Sequence, residues 1–331
     1  MRRSFFVFGL SLVPFVTLAS CGGDDPPAQT SSSSGGASSS SSASSSGDGS
    51  SSSSSSSSTS GGSSSSSGEP PWVWDPPVVP KTSPGCGIAR GPIKGVKHTT
   101  AGGRQFHVWG PTGYDANTNY PVVVMYHGWY TNGPGFQSWF EQEKFVENGA
   151  IVVYPTAAGA NGEWDLDGDT DLVFFDDMMK MLGEDYCIDP SRVLGFGFSY
   201  GGKLMNRLGC KRAGWVKAVS IADSSDWGDY KKCGRLPVLV THRTEDSDEL
   251  IAWGRNARDR WATANECTNA TVDGDVAHNC KVNTGCKAPG SVTFCEDTSI
   301  IDPGIPGYSP DWKHTVMENY RLYTWKWFKA L

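Results

Sequence analysis

The stretch "VLGFGFSYGGKLMNRLGC", from Val193 to Cys210, places a serine where an apolar run meets a helical pattern. The run Arg192–Phe198 predicts a buried strand, and the residues after the serine have helical spacing. Residues 197–201 fit G-x-S-x-G at this junction. So sharp a turn leaves no room for Cβ atoms beside the serine and exposes its hydroxyl. We predict that Ser199 is a nucleophile, with a serine helix N-cap as the alternative.

Apolar runs alternate with helical patterns through the rest of the chain. The predicted strands are Tyr120–Gly128, Ala150–Pro155, Arg192–Phe198, Val216–Ala222 and Leu236–His242. The predicted helices are Asp171–Tyr186, Asp248–Ala264 and Met317–Ala330. This alternation predicts an α/β fold whose mainly parallel sheet is covered by helices on both faces. In such sheets the functional site lies at the carboxyl ends of the strands.

A nucleophilic serine needs a base to remove its proton. Chains with this motif run in the order serine, acid, histidine. Three of the six histidines precede Ser199, which excludes His98, His107 and His127. His242 ends a predicted strand, so His278 and His314 remain. We favour His314, because it lies just before the last predicted helix, and keep His278 as the alternative.

The acid is expected in "THRTEDSDEL", which follows the strand that ends near His242. Asp246 is the best placed carboxylate, whereas Glu245 and Asp248 could be solvated or could cap the next helix. Asp246 would accept a hydrogen bond from His314 and fix the tautomer that faces the serine.

Two backbone N–H groups are candidates for an oxyanion hole. Tyr200 follows the serine at a helix N-terminus, where developing negative charge is stabilised. The second donor should come from a loop after an early strand, and the N–H of Trp129 in "MYHGWY" is the candidate. The neighbouring His127 is expected to be a buried structural imidazole.

The N-terminus has the pattern of an export signal. Arg2 and Arg3 precede the apolar run Phe5–Leu18, which is short for a membrane span. The sequence Leu-Ala-Ser-Cys that ends at Cys21 resembles a bacterial lipobox, with an ordinary cleaved signal as the alternative. We expect a signal peptide at 1–20, a lipidated Cys21, a flexible Ser/Gly/Pro-rich linker at 21–83 and one domain at 84–331.

Charge and cysteine content exclude several functions. The net charge of -7 and the absence of a basic stripe argue against nucleic acid as a partner. Eight of the nine cysteines lie after residue 84, and an even number in an exported chain favours disulfides. No C-x-x-C pair occurs, so we expect no metal site. The four cysteines between Cys267 and Cys295 are expected to staple one long loop.

From about Pro84 onward, the chain resembles the feruloyl esterase and polyhydroxybutyrate depolymerase group of α/β-hydrolases, in carbohydrate esterase family one. The matching stretches are "SPGCG", "YPVVVMYHGW", "YCIDPSRVLGFGFSYGG" and "HRTED". The resemblance implies the α/β-hydrolase fold and the site residues Ser199, Asp246, His314, Trp129 and Tyr200 in the roles given above. Arg243 and the pair Trp312-Lys313 depart from the glycines that many relatives have there.

The resemblance further implies two-step ester hydrolysis that needs no metal or organic cofactor. We expect an exported monomer, lipid-anchored to the cell envelope or extracellular, that acts on feruloyl or acetyl esters of xylan. Thirteen tryptophans are available, of which Trp129, Trp164 and Trp312 are predicted to contact the substrate. A polyhydroxybutyrate depolymerase is the alternative, and a catalytically silent binding module is a further one.

Overall fold

The computed structural model describes residues 75–228, 230–298, 313–317 and 319–331. The predictions about the signal peptide, Cys21, most of the linker and Trp312 lie outside these residues. The strands are β1 Lys94–Thr99, β2 Gln105–Trp109, β3 Tyr120–Tyr126, β4 Ile151–Pro155, β5 Ile188–Phe198, β6 Val216–Ala222, β7 Pro237–Arg243, β8 Thr271–Asp273, β9 Cys280–Asn283 and β10 Ser291–Asp297. The helices are α1 Gly133–Phe140, α2 Thr170–Asp185, α3 Tyr200–Lys211, α4 Ile251–Ala264 and α5 Tyr320–Lys329.

The strands of the described residues form one sheet in the order β1-β2-β4-β3-β5-β6-β7-β10-β9-β8. The six central strands, β4 to β10 in that order, are parallel. The strands at the two edges pair antiparallel. Because the central strands are parallel, their carboxyl ends lie on the same side of the sheet. The residues that follow β3, β5, β6 and β7 therefore meet there.

Helices cover both faces of the sheet, and alternate side chains of each strand point to opposite faces. Along β3, Val122, Val124 and Tyr126 belong to one buried cluster, together with apolar residues of α2, α3 and α4. Val123 and Met125 belong to the other cluster, with residues of α1 and α5. Burial on both faces explains why these strands read as unbroken apolar runs.

The predicted α/β fold is confirmed, and each of the five predicted strands and three predicted helices is present. The four cysteines between Cys267 and Cys295 pair with one another as predicted, but the prediction that their segment is one long loop is wrong. This segment contains β8, β9 and β10, and β10 joins the parallel part of the sheet beside β7. Val292, Phe294 and Cys295 are buried there, so the sheet gains a strand from a segment whose glycines and asparagines suggested only a loop.

Four disulfides link the eight cysteines of the folded part: Cys86–Cys187, Cys210–Cys233, Cys267–Cys286 and Cys280–Cys295. Disulfides persist in oxidising compartments, so they fit an extracellular protein. Ser83, which the sequence assigned to the linker, is buried and donates a hydrogen bond to the carbonyl of Tyr186. Among the described residues, no helix is both long and apolar enough to cross a membrane.

Candidate active site

Ser199 lies at the junction between β5 and α3 in a strained backbone conformation. Its φ of 53° and ψ of -123° are unusual for a residue with a side chain. Its N–H donates to the carbonyl of Ala222 on β6 at 3.0 Å, which ties the turn to the neighbouring strand. The side chain is only partly buried, so the hydroxyl can be reached from solvent.

The glycines around Ser199 are required because backbone atoms approach them closely. A Cβ on Gly197 would lie 2.2 Å from the carbonyl oxygen of Gly201. A Cβ on Gly201 would lie 2.3 Å from the carbonyl oxygen of Tyr126, at the end of β3. Real Cβ atoms do not come this close to backbone, so the G-x-S-x-G pattern is a steric requirement of the turn.

His314 lies between Ser199 and Asp246. Its Nδ1 lies 2.7 Å from Oδ2 of Asp246, and its Nε2 lies 2.8 Å from Oγ of Ser199. Because a carboxylate oxygen can only accept, Nδ1 carries the hydrogen, and Nε2 is left to accept from the serine hydroxyl. The ring of Phe198 packs against the imidazole at a centroid distance of 4.9 Å and restricts its orientation.

Asp246 is buried in the loop after β7, and backbone N–H groups hold its carboxylate. Oδ1 accepts from the N–H groups of Asp248 and Glu249, both at 2.9 Å. Glu249 is held in turn by Lys203 of α3 at 2.7 Å. The loop therefore turns Oδ2 toward His314 and ties the acid to the helix that follows the serine.

The two proposed oxyanion donors flank Ser199. A Cβ on Gly128 would lie 3.2 Å from the Cβ of Ser199, so the segment Gly128-Trp129 runs directly beside the serine. Tyr200 is the first residue of α3, and the first N–H groups of a helix have no partner within it. Among the backbone hydrogen bonds of the described residues, neither the N–H of Trp129 nor that of Tyr200 is used.

Three aromatic side chains, Trp129, Tyr130 and Tyr200, form an exposed surface beside Ser199, here called the aromatic surface. Trp129 stacks on Tyr130 and on Tyr200, with ring centroids 5.0 and 5.8 Å apart. Trp129 is 49% exposed and Tyr130 is 76% exposed. Stacked rings that are open to solvent can bind a flat or sugar-like ligand.

Other residues that the sequence singled out lie elsewhere. Trp164 was predicted to contact the substrate, but it is 2% exposed and its indole N–H donates to the carbonyl of His127, so we do not retain it as a contact. The alternative base, His278, pairs with Asp275 at 3.0 Å, and its ring packs against Tyr323 of α5. Of the two candidate histidines, it is His314 that lies at Ser199.

Two residues near Ser199 and Asp246, Tyr130 and Asp223, were not predicted from the sequence. Tyr130 directly follows Trp129, and an adjacent pair of aromatic residues after a buried strand was the available signal. Asp223 immediately follows β6, as "SIADSS" shows, and is buried next to Asp246. An acid directly after an apolar strand was the signal in that case.

Within the described residues, the ligand atoms of Asp223, His242 and Asp246 lie within 4.8 Å of one another. Such a group could hold a metal only if the imidazole offered a lone pair. Nε2 of His242 lies 2.6 Å from the carbonyl oxygen of Glu249, which can only accept, so this nitrogen carries a hydrogen. The other ring nitrogen faces Gly254, whose added Cβ would lie 2.4 Å from it. The cluster therefore does not fit a metal site.

Comparison with known proteins supports the same fold and chemistry. "Probable feruloyl esterase C" from Aspergillus clavatus is 34% identical over 201 residues, covering 57% of this chain and 71% of the relative. "Feruloyl esterase D" from Neurospora crassa is 28% identical over 214 residues, covering 59% of this chain and 72% of the relative. No family model matches the chain.

A solved acetyl xylan esterase from Aspergillus awamori superposes with a TM-score of 0.56 at 14% identity, covering 71% of this chain and 99% of that one. This likeness shows the α/β-hydrolase fold. The fold and the relatives together define the class of protein, a carboxylic-ester hydrolase of the α/β-hydrolase fold. Within that class, the chain belongs to the feruloyl esterase family.

The buried His127 makes the stability of the fold depend on pH. It is fully buried at the end of β3, where Nδ1 donates to the carbonyl of Gly128 at 2.7 Å and Nε2 accepts from the N–H of Ala157. Burial lowers the pKa of His127 from 6.5 to about 4. Between these values the unfolded chain binds a proton that the folded chain does not, so the free energy of unfolding falls as the pH falls.

We therefore expect His127 to remove up to about 3 kcal/mol of stability between pH 6.5 and 4. The variant His127→Gln lacks this titration, so it should lose less stability than the wild type over the same range, although it is less stable at pH 7. Urea unfolding at several pH values measures how the free energy of unfolding of each protein depends on pH. If this dependence is the same in the wild type and in His127→Gln, His127 is not the group that titrates.

Proposed function

We propose that the protein is a serine esterase in which Ser199 is the nucleophile, His314 the general base and Asp246 the acid that orients it. The supporting observation is the single imidazole with one nitrogen 2.8 Å from the serine oxygen and the other 2.7 Å from a buried carboxylate. This arrangement activates an otherwise weak hydroxyl nucleophile. It also argues against a catalytically silent binding module, which would have no need of it.

The reaction follows from these contacts in two steps. Ser199 Oγ attacks the ester carbonyl while its proton passes to Nε2 of His314. The oxyanion that forms accepts hydrogen bonds from the N–H groups of Trp129 and Tyr200. When the intermediate collapses, the proton goes from His314 to the departing alcohol and an acyl-serine remains. Water then loses a proton to His314 and attacks the acyl group. As the bond between the acyl carbon and Oγ breaks, His314 returns the proton to Oγ, which releases the carboxylic acid and restores Ser199.

We propose that the substrates are feruloyl or acetyl esters on plant cell-wall polysaccharide. The relatives are named feruloyl esterases, which favours these esters over polyhydroxybutyrate. The aromatic surface supports the same choice, because its stacked rings lie beside Ser199 and offer a face to a phenolic or sugar ring. No step in this mechanism uses a cofactor.

Loss of the nucleophile or of the base should abolish hydrolysis. We expect Ser199→Ala and His314→Ala each to lower kcat by about three or more orders of magnitude, because members of such a triad act as one unit. His278→Ala is the matched control and should keep most of the activity. Release of ferulate from methyl ferulate and of acetate from acetylated xylan measures the effect, with short polyhydroxybutyrate chains for comparison. An active Ser199→Ala enzyme would overturn the proposal.

The aromatic surface should matter for aromatic esters in particular. Trp129→Ala keeps the backbone N–H but removes the central ring, so we expect KM for methyl ferulate to rise roughly fivefold, as loss of about 1 kcal/mol of stacking implies. KM for p-nitrophenyl acetate should rise less if the ring binds the aromatic acyl group. Trp215→Ala is the control. Trp215 is similarly exposed, but it directly precedes β6 and so lies at the amino ends of the parallel strands, away from Ser199. Equal effects of the two variants would contradict a role of the surface in binding.

We further propose that the enzyme is anchored by a lipid on Cys21 and that the segment between Cys21 and Ser83 tethers the domain. The lipobox-like sequence and the serine-rich composition support this. The full-length protein should partition into the detergent phase, whereas Cys21→Ser should partition into water, because one lipid-modified residue supplies the apolar contact. Identical partitioning of the two proteins in a Triton X-114 phase separation would rule out the anchor.

A further inference from the structure

Asp223 is a buried acid for which the mechanism above has no use. It immediately follows β6 and is 1% exposed. Its φ of 44° lies in the left-handed region, which aspartate and asparagine tolerate better than most residues. Its own N–H donates to the carbonyl of Thr241 on β7, so the backbone holds it beside the strand that leads to Asp246.

The side chain of Asp223 has two polar neighbours. One carboxyl oxygen accepts from the N–H of Arg243 at 2.8 Å. A carboxyl oxygen of Asp223 also lies within 4.8 Å of a carboxyl oxygen of Asp246, and both residues are buried. Two carboxyl groups can share a hydrogen bond only when one of them holds a proton, because an ionised carboxylate has no hydrogen to donate.

The contacts of the two acids indicate which one is protonated. Asp246 already accepts from two backbone N–H groups and from His314, and these donors favour its charged form. Within the part of the chain that the structure describes, one backbone N–H donates to the Asp223 carboxyl group, that of Arg243. Burial, and next the charge of Asp246, raise the pKa of Asp223 well above its usual range.

Three titratable or charged groups face Asp223 in addition to Asp246. His242 and Arg243 come from β7, and Tyr320 comes from α5. His314 contacts Asp246 and is the next titratable group beyond it. Arg243 favours the ionised form of Asp223, but its effect is smaller than those of burial and of Asp246. The balance therefore favours one negative charge on the acid pair, located on Asp246.

We propose that Asp223 is a positioning residue, a protonated carboxyl that donates a hydrogen bond to Asp246 and holds the Asp246 carboxylate in the orientation that meets His314. This inference rests on the proposed function. It extends the relay to four side chains, Asp223, Asp246, His314 and Ser199, which come from the loops after β6, β7, β10 and β5. Asp223 touches neither substrate nor the reacting atoms and acts only through Asp246.

Two substitutions distinguish a protonated, donating Asp223 from an ionised Asp223 and from a side chain that does not affect catalysis. Asp223→Asn replaces the carboxyl by a neutral amide of the same shape, which can still donate to Asp246 and accept from Arg243. Asp223→Gly removes the side chain at a position whose positive φ suits glycine. Asp176→Asn is the matched control, because it removes a carboxylate from the exposed face of α2.

We expect Asp223→Gly to lower kcat for methyl ferulate about tenfold or more with little change in KM, the fold-change that loss of a hydrogen bond to a charged group produces. Asp223→Asn should restore most of that loss. The acid limb of kcat/KM, where the base becomes protonated, should lie at the same pH in Asp223→Asn as in the wild type. An ionised Asp223 would add a second negative charge near the base, and its removal would shift that limb to lower pH.

The proposal is overturned if the acid limb of kcat/KM lies at a different pH in Asp223→Asn than in the wild type. It is also overturned if kcat of Asp223→Asn is as low as that of Asp223→Gly, or if kcat of Asp223→Gly equals that of the wild type. Thermal unfolding of each variant shows whether it is folded. Should the glycine variant unfold, the acid limb of the asparagine variant still decides the protonation state. Ser199→Ala in the same assay distinguishes failure of one proposal from failure of the other. An active Ser199→Ala enzyme overturns the esterase mechanism. If it is inactive, the Asp223 variants test the positioning role of Asp223 alone.

Discussion

At Ser199 the chain leaves β5 and enters α3 within one residue, at a φ of 53°. A residue with a side chain adopts this conformation at an energetic cost, so the surroundings must hold it there. The holding contacts come from the strands on either side of β5: the N–H of Ser199 bonds to β6, and Gly201 packs under the carbonyls that end β3. The parallel order β3-β5-β6 brings these strands together, and the hydroxyl is exposed as a consequence.

On the side of His314 away from Ser199, the site contains a buried negative charge, the carboxylate of Asp246. Asp246 is 4% exposed, and a buried carboxylate is tolerated only where donors surround it. Those donors come from its own loop and from His314, near the end of the chain. With Asp223 as a further donor, the loops after β6, β7 and β10 would act as one hydrogen-bonded unit, and the position of the base would depend on all three.

Much of the architecture could be predicted from the sequence. Apolar runs buried on both faces are recognisable without tertiary information, which is why β3, β4, β5, β6 and β7 were found. The strand β1 lies at an edge of the sheet, and its mixed burial leaves little periodicity. The strand β2 alternates buried and less buried residues but is only five residues long, which is a short signal. The strand β10 was missed because glycines, asparagines and disulfide-bonded cysteines around it resemble a loop, and only its pairing with β7 makes it a strand.

The sequence by itself determined the serine turn, since G-x-S-x-G between a strand and a helix is a local steric requirement. It also determined the chain order of serine, acid and histidine. The choice of His314 over His278 was decided by tertiary structure, because the two differ in which residues fold next to them. Tertiary structure likewise buried Trp164 and exposed Tyr130, although both are aromatic residues in loops. It also brought Asp223 against Asp246, since only the pairing of β6 with β7 makes two acids more than twenty residues apart share one buried space.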